Sequence, residues 1–292
     1  MNQIAQKGRL GFFLRRMLGL GSAIVIFLTA AQLFAHRHQR FYPDYPMADL
    51  SSILEKDRLS EADYETLFLQ TGLGKAGVEE LRSLGEAGEQ QILDTQAAFF
   101  AKTATDCGSL GPTTREDHVV DENGNIIYGC PMAPMEDGDV FLAFSTHTLG
   151  WRHGHAGLVV DAARGITLEA VLIGSDSATA NASHWSYYSN FIHLRLKDIT
   201  PQEQQAIADY AMEHLNGIPY HLTSGVLSWE KAPDPDSPGF GAQCAYLVWY
   251  ALYQAGYDTD SDGGRIVTVG DLAESPLFEI VQVYGLDPRS FG

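Results

Sequence analysis

Apolar and polar positions change texture several times along the chain, and each texture predicts a different kind of element. Met17 to Ala35 is an apolar run without a charge, preceded by Lys7, Arg9, Arg15 and Arg16. As a helix rising 1.5 Å per residue it would reach roughly 28 Å, about the hydrocarbon thickness of a bilayer. A transmembrane helix is therefore predicted, and the basic residues before it outnumber Arg37 and Arg40 after it, which places the N-terminus in the cytoplasm and the body outside. A cleaved signal peptide, with Thr29 and Ala31 framing the cut, is the competing reading and would make the protein secreted. Tyr42-Pro-Asp-Tyr-Pro46 then reads as an extended linker, because a proline disfavours helix in the residue before it.

Helical spacing follows. Tyr64, Leu67 and Phe68, then Val78, Leu81 and Leu84, recur on one face, and Ser60 with Asp63 has the form of a capping box. Thr71-Gly-Leu-Gly74 interrupts the pattern, so a small appendage of two or more helices is predicted within residues 41–103. Asn123-Gly124 between apolar runs signals a tight hairpin, and residues 104–135 are read as a hairpin insert. From Glu136 onward the apolar runs are short and bounded by turn residues: Val140 to Phe144, Ala156 to Val160, Thr167 to Ile173 and Phe191 to Leu196 read as strands. Thr200-Pro-Gln-Glu203 opens a helix with an N-cap, a proline at its first position and a reciprocal glutamate. Cys244 to Ala255 is apolar on nearly every side and predicts a buried central helix ending at Gly256. The fold class expected is α+β, with residues 136–292 as one domain and residues 1–40 as cytoplasmic N-terminus and anchor.

Charge narrows the partners. Thirty-seven acidic residues against 19 basic ones give a formal net charge of -18, which repels nucleic acid. Of three cysteines, Cys107 and Cys130 flank the predicted hairpin and could meet across its base; in an oxidising compartment this would make a disulfide and leave Cys244 as the odd thiol, though the sequence leaves the pairing open. Cys244 stands at the start of a buried helix, where unpaired amides and the helix dipole favour a thiolate. An inert buried thiol is the bland alternative.

Ten histidines are too many for composition to choose among. His155 begins an apolar strand, with Gly154 and Gly157 leaving room for close approach, and Glu169 on the next strand is a carboxylate among apolar neighbours that needs a partner. Cys244, His155 and Glu169 together make a nucleophile, base and orienting acid. His147, His153 and His155, with Cys244, offer a zinc alternative, but no second spaced ligand pair completes a tetrahedral set. No metal and no cofactor are expected.

The chain also resembles a known family, in Gly138-Asp-Val140, Gly154-His-Ala-Gly-Leu-Val159, Leu168-Glu-Ala170, Gly217-Ile-Pro-Tyr220 and Gln243-Cys-Ala-Tyr-Leu-Val-Trp249. These motifs look like the circularly permuted NlpC/P60 group, the YiiX/YebB-like papain-fold hydrolases, in which the histidine strand precedes the cysteine helix. The resemblance spans about Glu136 to Tyr257. It implies an antiparallel sheet packed on the cysteine helix, Cys244 as nucleophile, His155 as base, Glu169 as third polar residue, and peptidase or amidase action on a peptide such as a cell-wall stem peptide. Members carry Asp after the Pro-Tyr pair and Ser after the cysteine, where this chain has His221 and Ala245, which bears on substrate preference. Tyr220 is assigned to the substrate cleft. Relatives of the family include acyl-transferring enzymes acting on lipids, so a lipid esterase or acyltransferase is one alternative and an inactive binding module another. Asp234 and Asp236 read as a solvated acidic loop, and Trp249 as core.

Overall fold

The computed structural model describes residues 2–37, 40–111, 113–227 and 230–291. Helix α1 (Asn2–Arg37) contains the N-terminal apolar run. Its described apolar side chains stand in solvent, Leu18 and Phe27 each being 70% exposed. Among the described residues no helix is long and apolar enough to cross a membrane. The expected transmembrane helix is therefore not seen among the described residues. Within the run the side chains of Gln32, Phe34 and Ala35 lie outside the described residues.

Four helices follow, α2 (Ser51–Leu54), α3 (Glu61–Thr71), α4 (Lys75–Ser83) and α5 (Glu86–Phe100). Next come strands β1 (Ala104–Ser109), β2 (Thr114–Val120), β3 (Val140–Ala143), β4 (Thr146–Thr148), β5 (Trp151–Arg152), β6 (His155–Asp161), β7 (Ile166–Glu169), β8 (Ala178–Asn181) and β9 (Phe191–Leu196). The chain ends with α6 (Pro201–His214), α7 (Cys244–Gln254), α8 (Val269–Ala273) and β10 (Phe278–Tyr284). The four predicted strands and both predicted C-terminal helices are present. Thr200 and Glu203 form the expected reciprocal cap of α6.

The strands make two antiparallel sheets, one of six strands in the order β10-β9-β3-β6-β7-β8 and one of four in the order β1-β2-β4-β5. Alternation along the strands divides the six-stranded sheet into two faces. Val140, Leu142, Ala156, Leu158 and Leu168 pack with Leu247 of α7 and Ile207 of α6. Their odd-numbered neighbours Phe141, Val159 and Phe191 pack on the other face with Trp185, Tyr188 and Tyr284. Because α7 is covered all round, it accepts apolar residues at nearly every position, and Trp249 is 1% exposed with its indole N–H donated to Asp258 at 2.8 Å.

The helices before the sheets are not a free appendage. Ser60 and Asp63 cap α3 reciprocally and Gly72, at φ 75°, ends it, as expected from the break at Thr71 to Gly74. At that break the chain also pairs with β10: Gly74 N–H donates to Val281 O at 2.9 Å and Val283 N–H to Gly72 O at 2.7 Å. A Cβ on Gly74 would sit 1.8 Å from Ile280 O, so only glycine permits this approach. Val78, Leu81 and Ile92 share a core with Val281. Glu80 of α4 ion-pairs with Arg195 of β9, which also donates to Asp139. The helical layer thus covers the β10 edge of the sheet, an edge that would otherwise be open to another strand.

Around Asn123-Gly124 the turn forms, held by the Asp121 carboxylate, which accepts from Asn123 N–H and Asn125 N–H at 2.8 and 2.9 Å. The disulfide that could have closed its base does not: all three cysteines are free. The return arm pairs only briefly, through Val120 and Ile126, and then carries Cys130 to β10, where Gln282 Nε2 approaches its sulfur at 3.4 Å. Cys107 instead faces Asp117 across β1 and β2.

Candidate active site

Three residues of the α+β core come together where the start of β6 meets the start of α7. Strand β6 leaves a turn at Gly154, whose φ of 77° and 2.5 Å approach of its missing Cβ to Ala143 O both demand glycine. His155, the first residue of β6, therefore emerges at the end of the sheet. Strand β7 runs antiparallel beside it with Glu169 opposite Gly157. The absent side chain at 157 is what lets Trp185 and Glu169 close in, since a Cβ there would lie 2.7 Å from the indole and 3.0 Å from Glu169 Cγ.

The imidazole of His155 is held from three sides. Nε2 bonds Glu169 Oε2 at 2.7 Å. Trp185 lies against the ring, with centroids 5.3 Å apart and planes 7° from parallel. Cys244 is the third neighbour, near enough to bear on the ring's titration, while the hydrogen bond that its sulfur makes is to Gln243 Oε1 at 3.5 Å. Burial opposes a charged imidazole, but the neighbouring Cys244 and Glu169 outweigh it and hold His155 well above its ordinary value.

Glu169 is the best-supported member of the group. Its other oxygen accepts from Thr167 Oγ1 at 2.5 Å and Trp185 Nε1 at 3.2 Å, and His184 Nε2 lies 3.4 Å away. Burial would raise its carboxyl, yet hydrogen bonds from His155 and His184 win and hold it well below the usual carboxylate range. His184 is raised in turn, its bond to Glu169 overcoming burial. Exposure falls from 8% at Cys244 through 5% at His155 to 3% at Glu169, so Cys244 is the most accessible of the three.

Cys244 opens α7, and the preceding Gln243 caps the helix by accepting from Ala245 N–H at 2.8 Å. Gln243 is itself fixed by donating to Val267 O at 2.6 Å. Tyr220 lies near this end of the site. Its backbone bridges to Ala242, two residues before the cysteine, and its half-buried phenol is raised by burial and then by proximity to Cys244.

Sequence reasoning missed Trp185, Thr167 and His184 as partners of Glu169, and also Tyr188 and Glu116. Tyr188 is 5% exposed, and burial, Glu116 and Glu169 in that order push its phenol well above the ordinary value. Glu116 sits close enough to feel the charge of His155 and ion-pairs with His118 at 3.0 Å. The zinc alternative loses its ligand set: His153 bonds Thr148 Oγ1 at 3.0 Å, His147 faces Cys107 at 3.5 Å, and His155 is committed to Glu169. The apolar cavity of about 540 Å³ lined by Tyr128, Cys130, Met132 and Met135 has neither Cys244 nor His155 in its wall.

Among solved structures the chain is similar to the crystal structure of metalloprotein YiiX from Escherichia coli O157:H7, DUF1105, at 15% identity and a TM-score of 0.40. The match covers 51% of this chain and 97% of that one. The YiiX-like group is the one the sequence motifs point to. No family model matches the chain, and no curated protein matches it. At a TM-score of 0.40 the likeness carries no argument about the chemistry.

Proposed function

We propose that the protein is a thiol hydrolase of the permuted papain-like kind, cleaving amide or peptide bonds with Cys244 as nucleophile, His155 as proton carrier and Glu169 as the group that orients the ring. The observation that carries this reading is the row itself: an imidazole bonded to a buried carboxylate at 2.7 Å, with the helix-start thiol of Cys244 near enough to bear on the ring's titration. The thiol proton passes to His155 as sulfur attacks the carbonyl carbon. The resulting oxyanion is met by the first-turn amides of α7; Gln243 already holds the Ala245 N–H, which leaves the Cys244 N–H as the assigned donor. His155 returns the proton to the leaving amine, the C–N bond breaks, and a thioester remains. Water, deprotonated by His155, then releases the acid and restores the thiol. Trp185 keeps the ring from rotating between the two transfers.

Tyr220 borders the substrate approach in this reading, and cell-wall stem peptides are the substrate class. The exposed apolar side chains of α1 support a tether to the membrane, with the N-terminus cytoplasmic and the hydrolase domain outside. They also favour a second reading in which the acyl group attacked belongs to a lipid. Incubating the full chain with a peptidoglycan digest and, separately, with a fluorescent acyl ester tests both. Amide turnover that vanishes in Cys244→Ala supports the proposal, ester turnover alone supports the lipid reading, and turnover of either that survives Cys244→Ala overturns the assignment of the nucleophile.

A further inference from the structure

A second cluster of cysteine, histidine and carboxylate lies in the four-stranded sheet, apart from the proposed hydrolase site. Strand register builds it. Cys107 of β1 stands opposite Asp117 of β2, Arg115 of β2 opposite His147 of β4, and His147 opposite Arg152 of β5. Arg115 and Asp117 are two residues apart, so Cys107, Asp117, His147 and Arg152 are carried on one face of the sheet. The side chains converge accordingly: Cys107 Sγ to His147 Nε2 is 3.5 Å and His147 Nε2 to Asp117 Oδ1 is 3.6 Å. One ligand atom from each residue falls within 4.8 Å of the others.

These separations decide what the cluster is suited to. With metal–sulfur bonds of about 2.3 Å and metal–nitrogen or metal–oxygen bonds of about 2.0–2.1 Å, the edges of a tetrahedron run roughly 3.4–3.6 Å. The 3.5 and 3.6 Å separations match such edges without movement of the backbone. Arg152 donates to Asp117 Oδ2 at 2.6 Å and so turns the other oxygen toward the thiol and the ring, the part an outer hydrogen bond plays at metal sites. Asp117 and His147 are buried at 0% and 1% exposure, whereas Cys107 is half-buried, which leaves the solvent side for a fourth, water, position.

We infer that Cys107, Asp117 and His147 bind one divalent ion of the zinc class, with a solvent molecule as fourth ligand. Binding forms a metal–sulfur bond and releases the Cys107 thiol proton to water, with no change of oxidation state. Sulfur and imidazole ligands select zinc or cobalt over magnesium and calcium. The ion would clamp β1, β2 and β4 together a few residues before the chain enters β6 at His155.

Cobalt reports the geometry and the ligand. Titrating Co(II) into the chelator-treated full chain should give a thiolate-to-cobalt charge-transfer band with the visible bands of tetrahedral cobalt, saturating at one equivalent. The bands should persist in Cys244→Ser and weaken with at least a roughly 100-fold loss of affinity in Cys107→Ser. A protection experiment on the unmutated chain avoids dependence on the variant's folding: zinc should slow alkylation of Cys107 by iodoacetamide, read by peptide mass mapping. No cobalt band, a band that survives Cys107→Ser, or Cys107 alkylation unaffected by zinc would each overturn the inference.

Discussion

The chain assembles cysteine, histidine and a carboxylate twice, and the two assemblies differ in who touches whom. At Cys244 the three stand in a row: the imidazole lies between sulfur and acid, and Glu169 spends its oxygens on His155, Thr167 and Trp185. At Cys107 they form a ring, in which the carboxylate reaches the thiol as well as the imidazole. Burial, followed by the charge of Asp117, pushes the Cys107 thiol up to about 12. A negative group beside a thiol opposes its ionisation, whereas an imidazole between them screens the thiol and carries the proton away. Residue type is common to both clusters. The order of contacts is what separates the proposed nucleophile from the proposed ligand.

Removing the two sulfurs should break the comparison most sharply. Cys244→Ala is expected to lower hydrolytic turnover by about 10⁴-fold or more, as loss of a nucleophile does in a triad, while Cys107→Ala leaves the chemical step in place. Iodoacetamide near pH 6 should label Cys244 faster than free cysteine and Cys107 much more slowly, read by mapping the alkylated peptides. Equal labelling of the two would mean that contact order has no hold on their reactivity.

Next in size is the acid at the far end of the row. Glu169→Gln should lower kcat by roughly 10²–10⁴-fold by letting the imidazole turn and by removing its counter-charge. The same variant sharpens the pH behaviour. His155 is raised in the folded state, so its contribution to stability is full below its unfolded value of about 6.5 and is lost as pH rises through the higher folded value. Glu169 is depressed, so its contribution is present above about 4.3 and lost as pH falls toward its folded value. Thermal melts should therefore be most favourable between these limits, and Glu169→Gln should flatten the decline on the alkaline side. An unchanged alkaline slope would show that the pair is not coupled.

Why the row was legible and the ring was not follows from the elements that carry them. His155, Glu169 and Cys244 sit in β6, β7 and α7, whose apolar patterns are strong enough to fix strand, helix and neighbour from sequence alone. Gly157 even announces the close approach that Trp185 and Glu169 make. Trp185 itself lies in a short 3-10 turn, Ala182–Tyr187, with no periodicity to place it. Strand β1 reads Ala-Thr-Asp-Cys-Gly-Ser, without apolar alternation, so its register depends on β2 and cannot be read locally. The hairpin turn at Asn123-Gly124 was visible for the same local reason that made its consequence misleading: the Asp121 carboxylate fixes the turn, but nothing nearby extends the pairing to Cys130. The attachment of the early helices to β10 joins residues some 200 positions apart, a contact no local pattern reports.

A smaller effect tests the packing that holds the row. Gly157→Ala places a methyl 2.7 Å from the Trp185 ring and 3.0 Å from Glu169 Cγ, so one of them must shift. Overpacking of this kind costs about 1–3 kcal/mol, and a displaced ring stack should lower kcat by roughly 10- to 100-fold. Gly165→Ala, at a site where a Cβ meets nothing within 4 Å but φ is 64°, controls for strain without contact with the row. Equal kinetic losses in the two variants would mean that the glycine at 157 serves the backbone and not the site.

The smallest expected effect separates the sulfurs by their independence. Cys107 hydrogen-bonds within the four-stranded sheet and Cys130 lies against Gln282 of β10, each with its own partners. A native disulfide would contribute about 2–5 kcal/mol, enough to move a melting temperature by several degrees in a chain of this length. Melts of protein purified and kept under air, with and without dithiothreitol and in the presence of a chelator, should therefore coincide within about 1 °C. The chelator matters, because an ion at Cys107 would protect that thiol and hide a slow oxidation. A reductant-sensitive melt would join the two sulfurs, pull Cys107 out of the ring around His147, and leave Cys244 as the one cysteine in the molecule whose neighbours are those described.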